Sequence, residues 1–170
     1  MIFYKGRKVK RKEHVEMVRI ATIEDFDRIN ELRKQVNELH VNGRPDHFKP
    51  GWNEELQNHA KVCIESENND ILVAERNGII CGFACVDYID VPESPYRFAK
   101  HFYHVGEFGV DKAFHRQGVA TELVQFMKKH AKEKGFSQIE LDVWEFNSEA
   151  IEFYEAVGFS CIRRYMEMKL

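Results

Sequence analysis

The sequence predicts an α+β domain, with one mixed, mainly antiparallel sheet flanked by helices. Two strand-like runs, Ile71 to Arg76 and Ile79 to Tyr88, flank Asn77-Gly78. That dipeptide accepts the positive φ angles of a tight type I′ turn, so the two runs form a hairpin. Amphipathic helical runs stand on both sides of the hairpin, with apolar residues at three- and four-residue spacing. At 170 residues and 44% apolar, the chain fits a single domain with a real core.

The elements follow in order. Residues 15–21 read as a first strand. Thr22 is placed to cap the next helix, with Asp25 in its first turn, where a carboxylate suits the positive helix end. Phe26, Ile29, Leu32, Val36 and Leu39 make that helix amphipathic, and it stops near Asn42-Gly43. His40 to Pro50 is a polar loop with two prolines, and Asn53 can cap a second helix through about Glu67. After the hairpin and a loop holding Pro92 and Pro95, Phe102 to Val110 reads as a strand interrupted by Gly106 and Gly109. Glycine within a strand marks a bulge or a close backbone approach. A strong helix runs from about Gln117 to Lys134, buries Val119, Leu123, Phe126, Met127 and His130/Ala131, and ends at Gly135. Ile139 to Phe146 is a strand, Ser148 is placed to cap a short helix that ends at Gly158, and Phe159 to Leu170 reads as a terminal strand.

Composition excludes several classes. No apolar run approaches the ~20 residues that a membrane-spanning helix needs. The first residues are basic but lack the apolar centre of a secretory signal, which leaves the cytoplasm as the expected location. Residues 1–16 read as a basic, solvated, flexible extension ahead of a domain at 17–170. Removing its six basic and two acidic residues takes the net charge from −3 to −7. That acidic body argues against nucleic acid as a partner, although the extension itself has the charge for it. Cys63, Cys81, Cys85 and Cys161 form no CxxC pair and have no histidine at metal-ligand spacing, so no metal is expected. All four read as buried thiols, with Cys81 and Cys85, four apart, on one sheet face.

Two clusters carry chemistry. His115-Arg116-Gln117-Gly118-Val119-Ala120 lies at a strand–turn–helix junction, where free amides and the helix dipole make an anion site. Small residues at Gly118 and Ala120 let a phosphate approach the backbone. The cluster has neither the P-loop pattern nor that of a dinucleotide fold. Downstream, Asn147, Ala150, Ile151, Phe153, Tyr154, Gly158 and Phe159 stand in the order N-x-x-A-I-x-F-Y-x-x-x-G-F.

Taken together, the two clusters resemble the acetyl-CoA signature of the GNAT superfamily of N-acetyltransferases, and the element order fits over roughly residues 17–170. One departure is His115, which stands where the family usually has Gln or Arg. The resemblance implies a sheet whose two central strands splay to form an acetyl-CoA cleft. It implies that the amides of His115, Arg116, Gln117, Gly118, Val119 and Ala120, with the Thr121 side chain, hold the pyrophosphate. It further implies that the pantetheine arm lies between Phe102–Val110 and Ile139–Phe146. The main chain around Phe108 and Val110 would bind the arm and polarise the thioester carbonyl, and Asn147 would hydrogen-bond the arm.

The implied reaction is direct attack of a neutral amine on the thioester. An alkylamine is mostly protonated at neutral pH, so a base must take its proton, often through water. Glu107 is the first candidate, with Asp142 and His104 as rivals on strands bordering the same cleft. Tyr154, in the family's tyrosine position, would protonate the departing thiolate. His40, Arg44, Asp46, His47, Tyr96 and Arg97, on the two loops that build the family's acceptor side, are candidates to line the acceptor pocket. The partner is an amine, on a small molecule or a protein, and family analogy adds a homodimer that no sequence feature demonstrates. A non-catalytic acyl-CoA-binding or regulatory module is the alternative, since it would keep every CoA residue.

Overall fold

The computed structural model describes residues 16–170. The basic extension expected at 1–16 therefore lies, for residues 1–15, outside the described residues. Five strands and four α-helices are described: β1 (Glu16–Ile20), α1 (Phe26–Gly43), α2 (Glu54–Glu65), β2 (Asn69–Arg76), β3 (Ile79–Val91), β4 (Lys100–Val110), α3 (Val119–Glu133), β5 (Ile139–Leu141) and α4 (Ser148–Ala156). The strands form one sheet in sequence order. The first four are mutually antiparallel, and β5 joins β4 in parallel over three residue pairs, Tyr103↔Ile139 to Val105↔Leu141.

The α+β expectation holds, and local chemistry explains the joints. Asn77 and Gly78 have φ of 53° and 81°, the type I′ signature that fixes the β2–β3 hairpin. The Asn53 side chain accepts a bond from the Leu56 amide at 2.9 Å and caps α2. A short 3-10 turn at Ile23–Asp25 intervenes before α1. There the Asp25 carboxylate reaches back to the Thr22 amide at 2.8 Å and grips Arg19 at 2.7 and 2.9 Å.

Each sheet face has its own core. Against α3 lie Leu72, Ala74, Ala84, Val86, Tyr103 and Val105, packed on Val119, Leu123, Val124, Met127 and Ala131 of the helix. Each fully buried side chain of this size contributes about 1.5–3 kcal/mol, so this apolar stripe holds α3 in place. On the opposite face α1 and α2 bring Ile29, Leu32, Ala60 and Cys63 against Ile71, Val73, Phe83 and Cys85. No described helix is long and apolar enough to cross a membrane.

Five expectations are corrected. Cys81 and Cys85 point to opposite faces, because the register passes from Ala74↔Gly82 to Glu75↔Ile80 and leaves Cys81 as an extra, bulged residue. Asn147 rather than Ser148 caps α4, its Oδ1 accepting from the Ala150 amide at 3.3 Å. The strand expected at Ile139–Phe146 stops at Leu141, beyond which Trp144 and Phe146 turn to pack against the end of α1 and the loop after it. Phe159 to Leu170 joins no strand, and Tyr165, Met166, Met168 and Leu170 are exposed. Cys161, on that segment, is accordingly an exposed thiol, whereas Cys63, Cys81 and Cys85 are buried.

Candidate active site

The parallel pairing ends at Val105↔Leu141, and β4 continues to Val110 while the chain after Leu141 turns away. The two strands thus make a fork. The register against β3 passes from Val86↔Val105 to Cys85↔Glu107, so Gly106 is the bulged residue at the point of divergence. Gly109 is needed for a different reason. A Cβ there would stand 2.6 Å from Val36 and 2.8 Å from Phe83, so only glycine lets α1 lie this close to β4.

One end of the fork leads to the start of α3. Gly118, its N-cap, has φ of 85°, and Arg116 has φ of 59°. Two left-handed residues so close together turn the backbone sharply into the helix, and the amides of Val119, Ala120 and Thr121 open its first turn without carbonyls behind them. Both neighbours of this turn are tied to it. The His115 Nε2 donates to the Val110 carbonyl at 3.0 Å, and the Gln117 side-chain amide donates to the Ala113 carbonyl at 3.0 Å. His115 thereby links the turn to the end of β4.

α4 closes the α3 side of the fork. Phe108 of β4 meets Phe153 and Tyr154 with ring centroids 6.0 and 6.1 Å apart. Burial pushes the Tyr154 phenol up to about 12, so it keeps its proton throughout the neutral range. Asn147 spends its side-chain oxygen on the α4 cap and keeps its amide N–H groups for other acceptors.

The opposite face of β4, towards α1 and α2, carries His104 and Glu107. Both Glu107 oxygens are held by Arg33, from Nε at 2.8 Å and from Nη2 at 2.7 Å. His104 Nδ1 lies 3.3 Å from Asp87 Oδ2 of β3, and its Nε2 lies 3.6 Å from Asp142 Oδ2. The Asp87 hydrogen bond, with support from Asp142, raises the His104 imidazole above the ordinary histidine range, and that same bond holds Asp87 below the usual carboxylate range.

Of the loop candidates, His40, Arg44, Asp46 and His47 come together. His40 packs on Phe48 and Phe146, His47 packs on Trp144 at 4.9 Å, and Arg44 lies over Trp144 at 5.2 Å while pairing with Asp46. Burial lowers the His40 imidazole below its ordinary range. Tyr96 and Arg97 instead pack on each other in a turn closed by Ser94–Arg97 hydrogen bonds, and make no ring contact with this group among the described residues. Sequence reading missed Arg33, Asp87, Trp144 and Phe146. Arg33 was detectable, as an arginine four residues after Ile29 on the apolar stripe of α1. Among the described residues, no cluster of three His, Cys, Asp or Glu is placed to hold a metal ion.

The acetyltransferase (GNAT) family profile matches residues 31–159. A mouse protein named as a probable N-acetyltransferase, family 8 member 5, is 25% identical over 127 residues, which are 68% of this chain and 54% of that protein. An uncharacterized N-acetyltransferase of Methanocaldococcus jannaschii is 30% identical over 99 residues, 58% of this chain and 42% of that protein. The chain thus spans about half the length of the curated relatives it matches. Among solved structures, a tetramutant of a Bacillus halodurans protein superposes with a TM-score of 0.84 at 25% identity, covering 91% of this chain and 99% of the other. An aminoglycoside N-acetyltransferase in complex with CoA gives a TM-score of 0.75 at 17% identity, covering 95% of this chain and 98% of the other, a likeness of fold.

Proposed function

The chain belongs to the acetyltransferase (GNAT) family, and from that premise we propose that it moves an acetyl group from acetyl-CoA to an amine by direct attack on the thioester. The observation that carries the reading is the fork between β4 and β5, with the left-handed cap of α3 at one end and Tyr154 against Phe108 on its flank. An anionic pyrophosphate suits the turn from His115 to Ala120 and the Thr121 hydroxyl, where the helix dipole adds to the free N–H groups of the first turn of α3, while the His115 amide itself is taken by the Lys112 carbonyl. The pantetheine arm suits the open side of β4, with the Phe108 main chain and the Val110 amide as partners, since the Val110 carbonyl is taken by His115, and with the Asn147 amide N–H groups available to its carbonyls.

In this reading the amide near Phe108 polarises the thioester carbonyl as negative charge develops on it. Tyr154 donates a hydrogen bond to the departing sulfur. Its phenol holds its proton more tightly than a thiol does, so it stabilises the thiolate by hydrogen bonding more than by outright transfer. Glu107 marks the acceptor face of the fork. The aromatic group of Phe48, Trp144 and Phe146 with His40 and His47 makes one wall of the acceptor side.

The test is CoA release from acetyl-CoA against a panel of polyamines, aminoglycosides, amino acids and peptide amino termini. Turnover with one class, reduced about tenfold or more by Tyr154→Phe with acetyl-CoA binding retained, is the expected result. Binding of acetyl-CoA without turnover on any amine would favour the acyl-CoA-binding module instead. Absence of CoA binding would sink both.

A further inference from the structure

A row of polar side chains crosses the α1/α2 face of the sheet. Asn69 of β2 stands opposite Asp87 of β3, and Asp87 opposite His104 of β4. The Asn69 amide donates to Asp87 Oδ1, and Asp87 Oδ2 receives His104 Nδ1. The row ends just past the last β4–β5 pair, where Asp142 faces His104 Nε2. Gly106 is part of the same arrangement. A Cβ on it would stand 3.2 Å from Asp87 Oδ2 and 4.0 Å from His104 Nδ1, so the bulge that opens the fork also makes room for the carboxylate.

The geometry fixes the chemistry of the ring. A carboxylate on Nδ1 selects the tautomer with its proton there, which leaves the lone pair of the neutral imidazole on Nε2. Nε2 and Asp142 Oδ2 are then two acceptors 3.6 Å apart, too far for a hydrogen bond and unfavourable as neighbours. A group with several N–H donors, placed to one side of the pair, bridges them and satisfies both. A primary ammonium is such a group. Glu107 is placed differently, since both its oxygens are committed to Arg33 and protonation there would break that pairing.

We infer that the ammonium of the acceptor docks against His104 Nε2 and the Asp142 carboxylate, bridging the two, that His104 takes its proton, and that Asp87 is the positioning residue for that imidazole. This rests on the acetyl-transfer reading. Two protons leave the nitrogen. The first passes to His104 Nε2 and then to solvent, which frees the lone pair to form the C–N bond. The C–S bond breaks with its electron pair on sulfur, and the second N–H proton ends on that sulfur as the amide forms.

The other charged groups around His104 are already paired. Glu140 of β5 is held by Lys100 and Glu107 by Arg33, and His59 of α2 acts on Asp87. Because His104 titrates above the ordinary histidine range, it is charged, and unable to accept a proton, further into neutral pH than a free imidazole. kcat/KM therefore rises with pH through the His104 titration.

The first measurement is NMR of the histidine-labelled full chain during titration with spermidine, with acetyl-CoA binding followed separately by calorimetry. The expected result is an Nδ1–H tautomer for His104 and a downward shift of its titration when spermidine is added. Asp142→Asn abolishes that response. With the best amine from the panel, His104→Ala loses about 100-fold in kcat, within the range for a lost general base, and recovers part of it with added imidazole. Asp87→Asn moves the acid limb of the pH profile to lower pH while the KM for acetyl-CoA stays put. An Nε2–H tautomer, or a His104 blind to spermidine in protein that binds acetyl-CoA, overturns the inference. Failure to bind acetyl-CoA would overturn the acetyl-transfer reading instead.

Discussion

Arg33 of α1 and Glu107 of β4 meet edge to edge through two parallel N–H···O bonds of 2.8 and 2.7 Å, and one guanidinium thereby locks a helix to the fork. The same side chain, only 4% exposed, also donates to Asn30 Oδ1 at 3.1 Å and to the Leu56 carbonyl at 2.6 Å, and stacks over Trp52. Replacing it strands a half-buried carboxylate without its partner. Arg33→Met is expected to cost about 3 kcal/mol, and Glu107→Gln, which keeps the shape, about 1–2 kcal/mol. Urea unfolding midpoints measure both, and an Arg33→Met midpoint equal to the wild type would refute the lock.

Gly118 carries the positive φ on which the turn into α3 depends. Its Cβ would meet nothing closer than Glu122 Oε1 at 3.6 Å, so a substitution here is a backbone experiment with little steric component. Gly118→Ala is expected to cost about 1 kcal/mol in stability, and to weaken CoA binding several-fold by rotating the amides of the first turn. Calorimetric titration with CoA decides. An unchanged Kd would mean that those amides do not contact the ligand.

Asp25 gives the acid side of the stability profile. The Arg19 hydrogen bonds, outweighing burial, hold its carboxyl below the usual range in the folded state. A depressed folded value means that the contribution is fully present above the unfolded carboxylate value of about 3.9 and is lost as pH falls through the folded one. Thermal melts from pH 6 to pH 2 should show Asp25→Asn losing stability at pH 6 and converging on the wild type at the acid end. A constant offset across that range would contradict the assignment.

Gly43, the last residue of α1, lies against the Phe146 ring so closely that a Cβ would stand 2.2 Å from it. Gly43→Ala must displace that ring or unwind the final turn, at about 1–3 kcal/mol. The double variant with Phe146→Leu should cost less than the two single changes added together, because both act on one contact. Additive midpoints would show that the two residues do not press on each other.

What the sequence disclosed depended on whether the signal was local. The β2–β3 hairpin was legible because Asn77-Gly78 encodes its own turn, and α3 because Val119, Leu123 and Met127 repeat at the helical spacing. The mixed, mainly antiparallel character of the sheet followed from the number and type of elements. The terminal segment was misjudged for the opposite reason. Met166, Met168 and Leu170 alternate as a strand should, yet a strand also needs a neighbour, and residues 159–170 pair with none. Cys81 and Cys85 failed in the same way, since the extra residue at Cys81 is defined by its register against β2. In the candidate site, the signature motif was visible as a spacing along the chain, whereas Asp87 and Arg33 reach the fork from distant parts of the chain.

The bulge at Gly106 also sets the phase of everything after it on β4. Below it, even-numbered His104 looks towards α1 and α2 and odd-numbered Tyr103 and Val105 look towards α3. Beyond it the parity is reversed, with Glu107 and Gly109 on the α1 side and Phe108 and Val110 on the α3 side. Were the pleat to run through unbroken, a carboxylate would be driven into the apolar layer under α3, and a phenylalanine would take its place beside Arg33. His104 and Glu107 therefore share a face through a single half-period slip in the sheet.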